Sequence, residues 1–162
     1  MKFNIKEYQS LLHDKKLLSD IEKTKLETYH YLLDDHFLWQ NKENFCGLIQ
    51  LFLNKTISIT EFSSKFKTLK YTSLTQSHVL QKKIKTEAQT QLNKLEIEIN
   101  PICQDFEELI SFLDDTLNLY DPDISFEMNL ENPDLIGYGI SEEFFRNVLK
   151  DNFLTKINEY GN

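Results

Sequence analysis

The stretch that decides the fold is QDFEELISFLDDTLNL, residues 104–119. Its apolar side chains Phe106, Leu109, Ile110, Leu113 and Leu117 recur at i, i+3, i+4, i+7 and i+11. At 3.6 residues per turn these positions form a stripe roughly 100° wide, the signature of a helix that buries one face. Asp105, Glu107, Glu108, Asp114 and Asp115 all fall outside the stripe. The segment therefore predicts both a helix and an acidic outer surface on it.

Reading outward toward the C-terminus, Tyr120 to Gly139 holds Pro122, Pro133, Gly137 and Gly139 and reads as an ordered loop. Within it Ile124, Phe126, Met128 and Leu130 alternate with polar residues, and Ile136 follows, which predicts a short extended segment lying on the surface. Ser141, with Glu142 and Glu143 in the first turn, opens a final helix. Phe145, Val148, Leu149, Phe153 and Ile157 give that helix its buried face.

Toward the N-terminus, Leu80, Ile84, Ala88, Leu92, Leu95 and Ile99 form one narrow stripe on a polar background. This predicts a long helix over 75–99, buried along a single seam against the rest of the chain or against a partner. Asn100-Pro101 ends it, because proline disfavours helical backbone in the residue before it. Ser58-Ile59-Thr60-Glu61 has the capping-box spacing and starts a helix with Ile59, Phe62, Phe66 and Leu69 on one side. Phe45, Leu48, Ile49, Phe52 and Leu53 repeat at helical spacing before a stop at Asn54. Ser19-Asp20-Ile21-Glu22 is another capping box, opening a helix to about Trp39, and a shorter helix with Ile5, Tyr8, Leu11 and Leu12 on one face precedes it. The expected architecture is all-α: a compact bundle of about five to six helices in a single domain over 1–162, with the ordered acidic loop at 120–139.

Composition fits this reading. Of 162 residues, 40% are hydrophobic and 12% aromatic, enough for a packed core, while only four Gly and three Pro punctuate the chain. No apolar run approaches the roughly 18 residues that would span a bilayer. The first residues, Met1 to Glu7, carry charge without an apolar core and do not read as a secretory signal. Cys46 and Cys103 stand far apart, outside any paired motif, and read as two small buried hydrophobes in a reducing compartment. The expected location is the cytoplasm, or an organelle interior.

The charge is lopsided. Residues 1–100 hold 15 Lys and Arg against 12 Asp and Glu, whereas residues 101–162 hold 3 against 14. Between Lys94 and Arg146 there is no basic residue and there are 14 acidic ones. A surface helix ordinarily interleaves the two signs, because like charges one turn apart repel. A field of one sign raises the on-rate and selectivity for a basic partner, and it also serves plain solubility.

Catalytic and metal signatures are absent from the sequence. His13, His30, His36 and His78 make no HExxH and keep no ligand-like spacing with Cys or Asp, and no glycine-rich phosphate loop or nucleophile elbow occurs. His36, on a helix near Trp39, reads as a partly exposed residue. Counted from Asp121, the calcium-loop positions that require Gly and Glu hold Phe126 and Asn132. The surface carboxylates would stay ionised, whereas acid–base work needs one of them buried. The cluster Lys82-Lys83-Ile84-Lys85 is the only basic patch, and the overall negative field opposes direct nucleic-acid binding. The expectation is a binding protein that is no enzyme and takes no metal or cofactor.

From about Phe45 onward the chain resembles the colicin-D-type immunity proteins, a bacterial family of small helical inhibitors. The resemblance is carried by Leu48 to Asn54, Ile57 to Phe62, Phe112-Leu113-Asp114-Asp115, Tyr120-Asp121-Pro122-Asp123, and Ile140 to Glu143 with Phe145 and Arg146. It divides the chain into an N-terminal helical extension, 1–44, and an immunity-like core, 45–160. It implies a protein that masks the basic RNA-binding cleft of a nuclease toxin by presenting carboxylates in place of RNA. The candidate partner-binding residues are Asp105, Glu108, Asp114, Asp115, Tyr120, Asp121, Asp123 and Glu127, with Tyr120 as an aromatic anchor. The chain departs from the family pattern in its extension and in a longer middle helix. Those additions also suit an alternative, a structural or assembly subunit docking in a larger complex through the Leu80–Ile99 stripe or through Phe37 and Trp39.

Overall fold

The computed structural model describes residues 3–14, 17–92, 95, 97, 99, 101–133, 139–153, 156 and 160. Among these the fold is all-α, with eight helices: α1 Ile5–His13, α2 Asp20–Gln40, α3 Lys42–Leu53, α4 Ile59–Thr86, α5 Gln89–Leu92, α6 Pro101–Asn118, α7 Phe126–Glu131 and α8 Glu142–Phe153. No strand forms among the described residues; Tyr120 and Ile140 make an isolated parallel bridge. The chain separates into two compact units, residues 1–41 with 70–107, and residues 42–69 with 108–162. The 1–44 segment expected as an extension thus falls almost wholly in one unit together with 70–107.

In the first unit, α1 and α2 meet through Tyr8, Leu11, Leu12, Leu26, Tyr29 and Leu33, to which Ile84 and Leu92 are added. The rings of Phe3, Tyr8 and Tyr29 pack with centroids 5.0–5.4 Å apart, an arrangement that adds to simple area burial. The Ser19 capping box forms in full: its hydroxyl accepts from the Glu22 amide, and the Glu22 carboxylate accepts from the Ser19 amide at 2.8 Å. Glu7 accepts from Lys25 and from the Tyr29 hydroxyl, and both bonds hold its carboxyl below the usual carboxylate range. His36 is buried rather than partly exposed, its ring edge-on to Phe37 at 5.1 Å.

The long helix differs from expectation. It runs from Ile59 to Thr86, joining two segments read as separate, and then stops; the chain leaves helix at Glu87 and Ala88 and makes only the four-residue α5 after it. The reason is not local. The buried Gln9 side chain donates to the carbonyls of Ile84 at 2.7 Å and Glu87 at 2.8 Å, satisfying acceptors that a helix end leaves open. The stripe itself is intramolecular: Ile84 and Leu92 are fully buried, and Leu80 and Leu95 pack against the same cluster. Ala88 is exposed. Pro101, expected as a stop, is the first residue of α6, where its missing amide hydrogen costs nothing; Asn100 lies outside the described residues.

In the second unit the aromatic residues dominate. The ring of Phe52 stacks on that of Phe62 at 4.6 Å, and both contact Phe145 at 5.7–5.9 Å; Phe45 and Phe62 each pack on Phe66. Arg146 is buried, 8% exposed. Its guanidinium lies 3.7 Å from the centre of the Phe52 ring, donates to the Phe52 carbonyl and pairs with Glu142. That carbonyl lies in the last turn of α3 and accepts from the Lys55 amide as well. Lys55 sits just beyond, at φ 59°. The amides of Lys55 and Thr56 reach back to the carbonyls of Phe52 and Leu51 at 3.0 and 2.9 Å, the helix-ending motif in which glycine is the usual residue at the position of Lys55. Ser58 caps α4 as expected, donor bond at 3.2 Å from Glu61, whereas the Glu61 carboxylate turns to Lys65 at 2.7 Å. Ser141 accepts from the Phe144 amide at 3.1 Å and caps α8. Phe145, Leu149 and Phe153 are buried in α8 as expected, and Ile157 lies outside the described residues.

Candidate interaction surface

Charge separates along the same division. The second unit carries 14 Asp and Glu against 7 Lys and Arg, so it accounts for nearly all of the net charge of −8. Arg146, the base at which the acidic run ends, is spent inside on Phe52 and Glu142.

The outer face of α6 is built by helical periodicity. With Phe106, Leu109, Ile110, Leu113 and Leu117 turned inward and buried, Glu108 and Asp115 point opposite to them and are exposed. Their Cα atoms, two turns apart, are separated by about 10 Å. Phe112 lies on that same outer face and is 44% exposed. It falls outside the apolar stripe, and this was its visible signal in the sequence: an aromatic side chain on the wrong side of an amphipathic helix. Asp105 is exposed as expected but belongs to the first unit. Asp114 does not stand free on the surface: it is half-buried, with one carboxylate oxygen enclosed. At 100° per residue Asp114 lies on the flank of the helix, between the buried and the outer faces.

After α6, hydrogen bonds hold the acidic segment in a fixed shape. The Asp121 amide donates to the Ile140 carbonyl at 3.0 Å, and the Ile140 amide to the Leu119 carbonyl at 2.8 Å. Asp121 is half-exposed, and its Oδ1 accepts from the Asp123 amide at 2.9 Å, a local turn typical of aspartate. Tyr120 is half-buried beside this bridge, and Asp123 is exposed. Gly139 packs close: an added Cβ would lie 2.5 Å from Ile124 Cδ1 and 3.2 Å from Asp121 Cβ, so a larger residue would oblige the Ile124 side chain to move.

The expected extended segment is instead the short helix α7. Ser125 caps it, accepting from the Met128 amide at 3.2 Å. The Glu127 carboxyl is held low by its own backbone amide and by the Ser125 hydroxyl, so it stays ionised at the helix start. Asn129, 3% exposed, then ties α7 to the far side of the loop: its Nδ2 donates to the Gly139 carbonyl at 3.1 Å and its Oδ1 accepts from the Ser141 amide at 2.9 Å. Met128 and Leu130 are 49% and 62% exposed, beside the exposed acids Glu127 and Glu131. Ile136 and Gly137 lie outside the described residues.

The surface thus combines carboxylates with exposed apolar side chains on a backbone fixed by paired hydrogen bonds. Asp115, Asp123 and Glu131 make no ion pair with any described residue. Such an arrangement suits binding: aromatic and aliphatic side chains anchor, and surrounding charges select and steer. In the first unit burial raises the Tyr8 and Tyr29 hydroxyls and the Asp34 carboxyl above their ordinary values. Among the described residues no three His, Cys, Asp or Glu side chains converge as a metal-ligand set, and no helix is long and apolar enough to cross a membrane. No protein-family model, no curated protein and no solved structure matches this chain.

Proposed function

We propose that this chain is a non-enzymatic protein-binding protein that captures a basic partner on the acidic face of its second unit, acting as an immunity-type inhibitor. The partner is a nuclease whose RNA-binding cleft the carboxylates cover. The observation that carries the reading is the outer face of α6, where exposed Phe112 stands between exposed Glu108 and Asp115 on a unit with twice as many acids as bases. Carboxylates meeting a cleft built for phosphate supply complementary potential and long-range attraction. An exposed aromatic among them supplies the desolvated contact that fixes register. Inhibition on this reading is occlusion. RNA is kept from the cleft, and no bond in either protein is made or broken.

The reading is tested by immobilising the chain in native extract and identifying what it retains in low salt. A triple variant Asp115→Lys, Asp123→Lys, Glu127→Lys serves as the control. The expected result is a basic nuclease retained by the unaltered chain and lost from the variant, together with protection of tRNA from that nuclease by an equimolar amount of the chain. Retention of the same proteins by both chains, or intact cleavage of tRNA in the complex, would overturn it.

A further inference from the structure

The first unit carries an interaction surface of a different kind. A groove of about 420 Å³ runs along α4, with Phe37 of α2 on one side and Tyr71, Thr75, Val79, Leu80 and Lys83 of α4 on the other. Its lining is almost wholly apolar, yet Tyr71 and Val79 are 73% and 60% exposed. Residues 71, 75, 79 and 83 succeed one another turn by turn, so the groove follows the helix for about 18 Å. Apolar side chains exposed side by side in a groove are a surface on which an apolar face of a partner can be buried.

Charge defines what fits. Residues 70–86 carry Lys70, Lys82, Lys83 and Lys85 and not one Asp or Glu. Lys82 and Lys85 form no ion pair with any described residue, and Lys83 reaches only Glu87, at 3.8 Å. Lys83 lines the groove at its C-terminal end, and Lys82 lies toward one edge of it. The nearby Asp34 of α2 is engaged by Ser77, which lies on the far side of α4 from the groove. The groove therefore offers an apolar floor with a cationic end.

We infer that this groove docks an amphipathic helix of a partner protein, about three turns long, whose apolar face fills the Phe37–Tyr71–Val79 floor and whose carboxylates meet Lys82 and Lys83. A length of 18 Å matches about three helical turns, and side chains at i, i+3, i+4 and i+7 reach along it. A second copy of this chain fits less well: α7, with exposed Met128 and Leu130, has six residues, or about 9 Å, half the groove, and the outer face of the longer α6 offers one exposed apolar side chain, Phe112, to an apolar floor.

The test uses the full chain and two synthetic helical peptides of equal length with the same Leu and Phe face, one flanked by Glu and the other by Lys. Binding is read by fluorescence anisotropy. The Glu-flanked peptide is expected to bind about tenfold more tightly than the Lys-flanked one, a preference that salt diminishes. Lys82→Glu with Lys83→Glu should reverse the preference. Tyr71→Ser with Val79→Ser, both at exposed positions and checked for an unchanged thermal melt, should abolish binding of either peptide, while Asp115→Lys should leave it intact. No binding, equal binding of the two peptides, or binding that survives loss of Tyr71 and Val79 would overturn the inference. So would self-association of the chain that Val79→Ser abolishes, since the groove would then belong to a second copy.

Discussion

Removing the Asn129 side chain as Asn129→Ala should release the acidic segment from the rest of the second unit. Two buried hydrogen bonds end on that one amide, to the Gly139 carbonyl at 3.1 Å and from the Ser141 amide at 2.9 Å. Each contributes about 1 kcal/mol net, and leaving its buried partner unsatisfied adds about 1 kcal/mol more. Relaxation of the loop toward water recovers part of this, so the expected cost is about 2–3 kcal/mol. For a chain of this length that is a fall in the thermal midpoint of roughly 4–12 °C. The matched control is Asn132→Ala, whose side chain makes one exposed bond at 3.4 Å to Met128; its cost should stay under about 0.5 kcal/mol. Urea denaturation followed by circular dichroism gives both values, and hydrogen exchange at the Ile140 and Ser141 amides localises the effect. Equal midpoints for the two variants, or unchanged protection at Ser141, would refute the idea that Asn129 holds the segment in place.

Lys55→Gly should stabilise the chain by about 0.5–1 kcal/mol in urea denaturation, because Lys55 occupies the left-handed region at φ 59°, where only glycine is free of steric cost. Asp34→Asn should raise the thermal midpoint at pH 7 by an amount equivalent to about 1 kcal/mol, because burial penalises the charged carboxylate and the amide carries no charge. The pH dependence has a definite sign. Burial raises the folded pKa of Asp34, eased by the Ser77 hydrogen bond and by His78 and His30, so the folded state binds the proton more tightly than the unfolded one. Stability of the unaltered chain therefore falls as pH rises from the ordinary aspartate value near 4 through the raised value. The advantage of Asn should shrink toward zero at about pH 3 and be constant well above the raised value, which thermal melts across pH 3–8 would show.

What the sequence revealed and concealed follows from the range of the interactions involved. The helices α2, α6 and α8 and their caps at Ser19 and Ser141 were legible because stripe and cap lie within one or two turns of each other. The stop after Thr86 was not, because it depends on Gln9, 78 residues from Glu87 in the chain. The helix α7 was concealed by the alternation of Ile124, Phe126, Met128 and Leu130, which has the period of a strand over a stretch too short to show the period of a helix. Its helical state rests instead on the Ser125 cap and on the Asn129 tie to Gly139 and Ser141. Of the candidate acids, position on the wheel correctly separated Glu108 and Asp115 from the core, but it could not separate an exposed Asp115 from a half-buried Asp114 on the flank. Phe112 was visible as a motif residue and its exposure was implied by its angle, a signal that only the structure brought forward.

The claim that most needs testing is that the outer face of α6 and the loop after it bind a basic partner through charge. The direct measurement is the affinity of the captured partner for the unaltered chain and for the Asp115→Lys, Asp123→Lys, Glu127→Lys variant, each across about 50–500 mM salt. The unaltered chain should bind tightly, with an affinity that weakens steeply with salt, and the variant weakly, with a flat salt dependence. Equal affinities with equal slopes, in chains that melt alike, would contradict it.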